Sequence, residues 1–285
     1  MINRRDFLKN ASLFTLGGLM AGKVGSADAA KPVTSETMAA KTVGLQIYSL
    51  GKELYADVPG GLKKIKQMGY TNLELAGYKE GKIGGVDMME FKKMVDDAGL
   101  KITSSHVNPP VREYTKANRS QISEYWKKTA DDHAKLGVKY LIQPGQPSTR
   151  STEETAFVCE IFNEAGKIVK AAGIPFGYHN HELFLKNTDP SLVFFEMDVY
   201  WAVMGQQDPI EWLKKYPNRI KVLHIKDRAI LGESGMMNFE NIFRQAYANG
   251  IKDYFVELEG MPDGRSQFEG VKGCVDYLLK APFVK

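Results

Sequence analysis

The chain has only two cysteines, Cys159 and Cys274, far apart in sequence, which excludes a disulfide framework and a cysteine-spaced metal site. Long apolar runs are missing too. The stretch over residues 11–21 is well short of the ~20 residues that span a bilayer. Neither sign of charge dominates: 38 basic and 34 acidic side chains give a net +4, and no long run of Lys and Arg offers a footprint for nucleic acid. No G-x-G-x-x-G follows the first strand-like segment, which removes the phosphate-binding turn of a dinucleotide fold. With 43% hydrophobic and 25% charged residues over 285 positions, the chain has the makings of a large core and a soluble globular fold.

The first 30 residues form a separate object. Asn3, Arg4, Arg5, Asp6, Phe7, Leu8 and Lys9 precede a weakly apolar run and the small residues Ala27, Asp28 and Ala29, which is the plan of a cleavable export signal. The arginine pair followed by Phe-Leu-Lys resembles the twin-arginine export motif. Residues 1–30 are therefore read as a signal peptide and residues 42–285 as the mature domain, exported to the periplasm without a membrane span. The oligomeric state, homo-oligomers included, is left open.

From Val43 onward, short aliphatic or β-branched runs alternate with amphipathic stretches, usually with a glycine at the helix end, the pattern of βα units on a parallel sheet. Strands are predicted at 43–48, 71–75, 101–106, 138–143, 174–179, 193–199, 220–225 and 254–259. Helices are predicted at 60–69, 86–98, 122–136, 153–172, 210–216, 239–248 and 268–280. Eight such strands in about 250 residues predict a single-domain α/β protein, a closed (β/α)₈ barrel. After the fifth strand the segment 182–189 is too short and too broken by Asn187, Thr188, Asp189 and Pro190 for a full crossover helix.

Active sites of such barrels lie at the carboxyl ends of the strands. Tyr48, Glu74, His106, Gln143, His179, Asp198, His224 and Glu257 fall at successive strand ends, with Asn180, His181 and Glu182 just beyond the fifth. Asp198, His224 and Glu257 interrupt runs that a core strand would keep apolar, and an unpaired ionisable group there would cost several kcal/mol, which metal coordination relieves. The mixed nitrogen and oxygen set suits Mn²⁺, Mg²⁺ or Zn²⁺. His179 is taken as the fourth ligand because alternation along Gly177, His179 and His181 puts these residues on one side; His181 and Glu182 compete for that place. His133, beside Asp131 and Asp132 on the third predicted helix, is read as a solvated helix residue. Tyr48, Tyr178 and Trp201 are candidates for stacking on a sugar.

Gly177-Tyr178-His179-Asn180-His181, Glu196-Met197-Asp198-Val199-Tyr200-Trp201, His224-Ile225-Lys226-Asp227 and Val256-Glu257-Leu258-Glu259, in this order, resemble the sugar phosphate isomerase/epimerase family of the xylose-isomerase-like TIM barrel superfamily. The resemblance runs over residues 42–285. It implies a divalent metal at the barrel mouth, Mn²⁺ first, held from strands five to eight, with Asp198, His224 and Glu257 at matching positions. Members that epimerise free ketoses carry a glutamate near the end of strand five, where this chain has 178–181, so His179 or His181 replaces it. A phosphate subsite is not evident, because Asp227 separates Lys226 from Arg228 and Glu259 and Asp263 crowd the last strand. The expected substrate is an unphosphorylated small sugar.

The expected chemistry is isomerisation or epimerisation by proton abstraction beside a carbonyl, through an enediolate that the metal stabilises. Glu257, His181 and Lys226 are the acid–base candidates, while Tyr48, Glu74, His106 and Trp201 are expected to bind substrate. The same site could cleave a 3-keto-glycoside or dehydrate a keto-inositol. A sugar-binding barrel without enzymatic activity is the alternative of another class. The endonuclease IV group shares the barrel, but its three-metal cluster needs more histidines, and the near-neutral charge disfavours DNA.

Overall fold

Side chains on a strand face alternate sides, and here a single phase of that alternation fills the barrel. The computed structural model describes residues 41–285 apart from 181; residues 1–30, read above as an export signal, and His181 lie outside the described residues. In chain order the barrel strands are β1 (Gly44–Gln46), β2 (Asn72–Leu75), β3 (Lys101–His106), β4 (Tyr140–Gln143), β5 (Phe176–His179), β6 (Val193–Asp198), β7 (Ile220–Ile225) and β8 (Asp253–Val256). They close in the order β1-β8-β7-β6-β5-β4-β3-β2, each pair parallel. The helices are α1 (Gly51–Ala56), α2 (Val58–Met68), α3 (Met88–Asp97), α4 (Arg119–Leu136), α5 (Thr152–Ala171), α6 (Glu182–Asn187), α7 (Val199–Met204), α8 (Pro209–Lys215), α9 (Phe239–Ala248) and α10 (Gln267–Lys280). This is the predicted (β/α)₈ barrel. Among the described residues no helix is long and apolar enough to cross a membrane.

One phase of each strand packs the outer core: Phe195, Met197, Leu223, Ile225 and Val256 join the cluster that includes residues of the helices. The other phase forms a separate apolar plug of Tyr140, Ile142, Phe194, Val222 and Phe255. Gly44 and Gly177 make room for that plug, since a Cβ on either would meet the ring of Phe255 or Phe194 at 2.5 Å. Two residues further along the same phase stand Glu196, His224 and Glu257, so the ionisable layer rests directly on an apolar floor. Helix ends follow local chemistry. The Ser151 side chain caps α5, and Ser266 with Glu269 forms a capping box on α10.

Several predicted elements need correction. The first strand stops at Gln46, because its side-chain Oε1 accepts from the Tyr48 amide at 3.0 Å and turns residues 47–50 into a 3₁₀ helix. The helix predicted over 86–98 begins at Met88; Val86–Asp87 instead pairs with Lys82–Ile83, which pairs in turn with Tyr78–Lys79 in a small antiparallel sheet, and Asp87 caps α3. The short crossover after β5 is α6, six residues long. His133 is not solvated. It is fully buried, its Nδ1 paired with the Thr129 carbonyl at 2.7 Å and its Nε2 with Ser105 Oγ at 2.9 Å.

That burial carries a pH signature. It lowers the His133 pKa to about 4, so the ring is neutral when folded, while an unfolded histidine titrates near 6.5. Below 6.5 the unfolded chain binds a proton that the folded chain refuses, so stability falls as pH drops from 6.5 toward 4, by about 3 kcal/mol at most. Denaturant titrations between pH 8 and 4 should show this slope, and His133→Asn should flatten it. An equal slope in the variant would assign the acid lability elsewhere.

Candidate metal and active site

β5 ends at His179 because Asn180 takes a left-handed backbone (φ 59°), which asparagine tolerates. Its amide bonds the Glu196 carbonyl at 3.0 Å and its side-chain oxygen accepts from the Asp198 amide at 2.9 Å, so it ties β5 to β6. Asp198 ends β6 and caps α7, its Oδ1 accepting from the Trp201 amide at 2.9 Å. His224 lies on β7 in register with Asp198 and with Phe255, two residues before Glu257. One ligand atom each from His179, Asp198, His224 and Glu257 lies within 4.8 Å of the others.

Immediately beside them lies a second set, Glu74, His106, Glu196 and His224, all buried or nearly so. His224 belongs to both. Its Nε2 contacts Glu74 Oε2 at 2.6 Å while its Nδ1 faces Glu257 Oε2 at 3.2 Å. His106 Nε2 meets Glu196 Oε2 at 2.6 Å, and Gln46 Nε2 donates to Glu74 Oε2 at 2.8 Å. Glu74 thus fixes the orientation of a ring whose other nitrogen points into the first set, the arrangement by which a carboxylate orients a ligating histidine.

Electrostatics separates these groups. Burial pushes Asp198 up to about 7 against the pull of His224 and Lys226. Burial, reinforced by His224, takes His179 down to about 3, a neutral ring with a lone pair to give. Burial would raise Glu257 and Glu196 strongly, but His224 and Lys226 together outweigh it at Glu257, as do His224 and His106 together at Glu196, and both carboxylates sit below the usual range. Glu74 is raised by its burial and by the charge on Glu196. Burial opposes the charge on His224, and Glu196, Glu257 and Glu74 overcome it and raise the ring well above its ordinary value.

His179 Nε2 and Asp198 Oδ2 are buried without a hydrogen-bond partner. Each such atom costs about 1–3 kcal/mol, and both belong to the set of four. A cation held there would satisfy them, and two imidazoles with two carboxylates suit a borderline or hard divalent ion. The residues fit a metal.

Lys226 is buried yet doubly paired, with Glu257 at 3.2 Å and Glu259 at 2.5 Å, and its Nζ sits 5.6 Å from the centre of the Trp201 ring. Trp201 Nε1 donates to Glu259 at 3.1 Å. Trp201 and Tyr48 remain exposed at 45% and 62%, but Tyr178 is buried among Phe162, Phe184 and Phe195, which removes it as a stacking residue. Glu74 and His106, expected to hold substrate hydroxyls, have protein groups as their partners. Glu196 and Gln46 were not singled out from sequence. For Glu196 the signal was present, since it shares the inward phase with Phe194 and Asp198.

Residues 62–273 match the family described as xylose isomerase-like TIM barrel, and the chain belongs to that family. Two solved structures from Parabacteroides distasonis ATCC 8503, each named a sugar phosphate isomerase/epimerase, superpose with TM-scores of 0.84 and 0.85 at 59% and 51% identity; they cover 86% and 88% of this chain and 100% of each solved chain. An inosose dehydratase of Clostridium beijerinckii is 25% identical over 203 residues, which is 60% of this chain and 66% of that relative, slightly under two thirds of its length.

Proposed function

We propose that the protein is a divalent-metal-dependent isomerase or epimerase of an unphosphorylated sugar, with Mn²⁺ the first choice and Mg²⁺ or Zn²⁺ the alternatives. The observation that carries this reading is the pair of unsatisfied buried atoms, His179 Nε2 and Asp198 Oδ2, in a four-residue set at the strand ends beside a buried lysine. The names of the two Parabacteroides relatives support the same class. His179, Asp198, His224 and Glu257 would hold the ion, which when bound supplies a Lewis acid for a carbonyl oxygen.

The chain's own residues account for the proton movements. Glu257 is held charged by His224 and Lys226 and accepts the proton from the carbon beside the carbonyl, leaving an enediolate. Lys226, held between Glu257 and Glu259, faces the developing oxyanion as a donor. His181, which follows the fifth strand in sequence, is the candidate to return a proton to the other face of the carbon. Both carboxylates beside Lys226 already neutralise it, which argues against a phosphate on the substrate. A second reading has a specific support: likeness to an inosose dehydratase favours elimination from the same enediolate, as in a keto-inositol dehydratase or a 3-keto-glycoside lyase.

Incubation with keto-sugars in heavy water tests the proton-transfer core of both readings. Deuterium should enter the carbon beside the carbonyl, and His181→Gln should slow that exchange by about 10²–10⁴-fold with metal content intact. Turnover without exchange contradicts the mechanism, and loss of metal in His181→Gln would make His181 the fifth-strand ligand in place of His179.

Export to the periplasm belongs to the same proposal, since sugar phosphates are held inside cells while glycans are broken down outside. Residues 1–30 fused to a reporter that folds before export should carry it across the membrane, and joint Arg4→Lys and Arg5→Lys substitution should stop it. Continued export of the double variant refutes the twin-arginine reading.

A further inference from the structure

The wall of the four-residue set continues into a cavity of about 660 Å³. His179 and Asn180 line its barrel side, and Trp201, Met204, Gln207 and Trp212, carried by α7, α8 and the turn between them, line the other. Trp201 and Met204 are among the few large apolar side chains left exposed, at 45% and 40%. Both indole N–H groups are taken by the protein: Trp201 Nε1 by Glu259 and Trp212 Nε1 by the Gln207 side-chain oxygen, each at 3.1 Å. The two indoles therefore have no N–H to give a ligand and offer ring surface instead. Tyr216 packs edge-on against Trp212, with centroids 6.1 Å apart, and braces the outer ring.

We propose that this cavity is a subsite for a second ring bonded to the reacting sugar, so that the substrate is a glycoside and not a free monosaccharide. This rests on the proposed function, because it takes the neighbouring set as the place where the reacting sugar sits. Three observations carry it. The cavity and the set share His179, so a ligand filling both is continuous. The helix that presents Trp201 starts at Asp198 and is capped by it, which couples the aromatic wall to a residue of the set. The volume lies within the range of pockets that bury drug-sized ligands, and its lining suits a ring with an apolar face: the C–H face of a pyranose or an aromatic aglycone.

The test is binding without turnover. Intrinsic tryptophan fluorescence and calorimetry would compare D-glucose, cellobiose and phenyl β-D-glucopyranoside on the full mature chain, both metal-loaded and chelated. At least one of the two glycosides should bind about tenfold more tightly than D-glucose, the scale of one aromatic stacking contact. A gain with cellobiose identifies a second sugar, and a gain confined to the phenyl glycoside identifies an aromatic aglycone. Trp212→Ala should cut the gain to within about twofold, while Trp212→Phe should keep most of it; unchanged melting temperature and metal content exclude a folding defect. Equal affinity for all three probes, or a gain that survives Trp212→Ala, overturns the subsite. Because the chelated arm reads binding without turnover, failure of the exchange experiment would sink the proposed function without altering this result.

Discussion

Glu257→Gln is expected to lower turnover by about 10²–10⁴-fold, the usual contribution of one acid–base group. The amide keeps the shape but cannot accept the carbon-bound proton. It also leaves Lys226 with Glu259 alone and removes the carboxylate that His224 Nδ1 faces. Metal affinity, measured by chelator competition, should weaken in parallel, because one oxygen donor of the set has become a poorer one. If turnover collapses while metal affinity stays at the wild-type value, Glu257 acts on substrate alone and the ion has another oxygen ligand. Normal turnover would remove Glu257 from the chemistry.

Glu196→Gln should produce the largest loss of stability. Glu196 is fully buried, 2.6 Å from His106 Nε2 and 3.3 Å from His224 Nε2. Removing one partner of a buried ion network costs about 3–5 kcal/mol, or roughly 6–20 °C in melting temperature for a domain of this size. The pH dependence has a definite sign. Glu196 is lowered, so its share of stability is present above the ordinary carboxylate range and is lost as pH falls through its folded value. His106 and His224 are raised, so their share is present below about 6.5 and is lost as pH climbs through their folded values. Chelated wild-type protein should therefore be most stable between those limits, and Glu196→Gln should lose that maximum. A variant within about 1 kcal/mol of wild type at every pH would show that the network is not ionised.

Much of the barrel was legible because buried strands and amphipathic helices write their periods directly into sequence. The predicted bounds of β3, β7 and α9 coincide with the observed Lys101–His106, Ile220–Ile225 and Phe239–Ala248. Elements were misread where a side chain overrode the local period. The Gln46 amide that turns residues 47–50 is itself held by Glu74, a partner 28 residues away. Asp87 caps α3 only because the small sheet before it brings the chain round, and the glycines at 81, 84 and 85, each with positive φ, were the unread signal for that sheet.

The ionisable layer was legible in part for the same reason. Asp198, His224 and Glu257 stood out because each breaks an apolar run. Glu196 breaks the same run as Asp198 and was passed over, although period-two spacing puts both on one face. Alternation alone gave His179 and His181 equal standing, yet the left-handed Asn180 ends the period between them. His133 was misjudged because a helix's buried face depends on what packs against it, here Ser105 on β3.

The most direct test of the central claim is the metal content of the purified protein, measured by elemental mass spectrometry for wild type and for Asp198→Ala, His224→Ala and His179→Ala. Near-stoichiometric divalent metal in wild type, with loss in each variant and a matching fall in melting temperature, is the result expected of a ligand that binds only the folded chain. Full occupancy in all three variants, or wild-type protein that takes up no divalent ion when Mn²⁺, Mg²⁺ or Zn²⁺ is supplied, would contradict it.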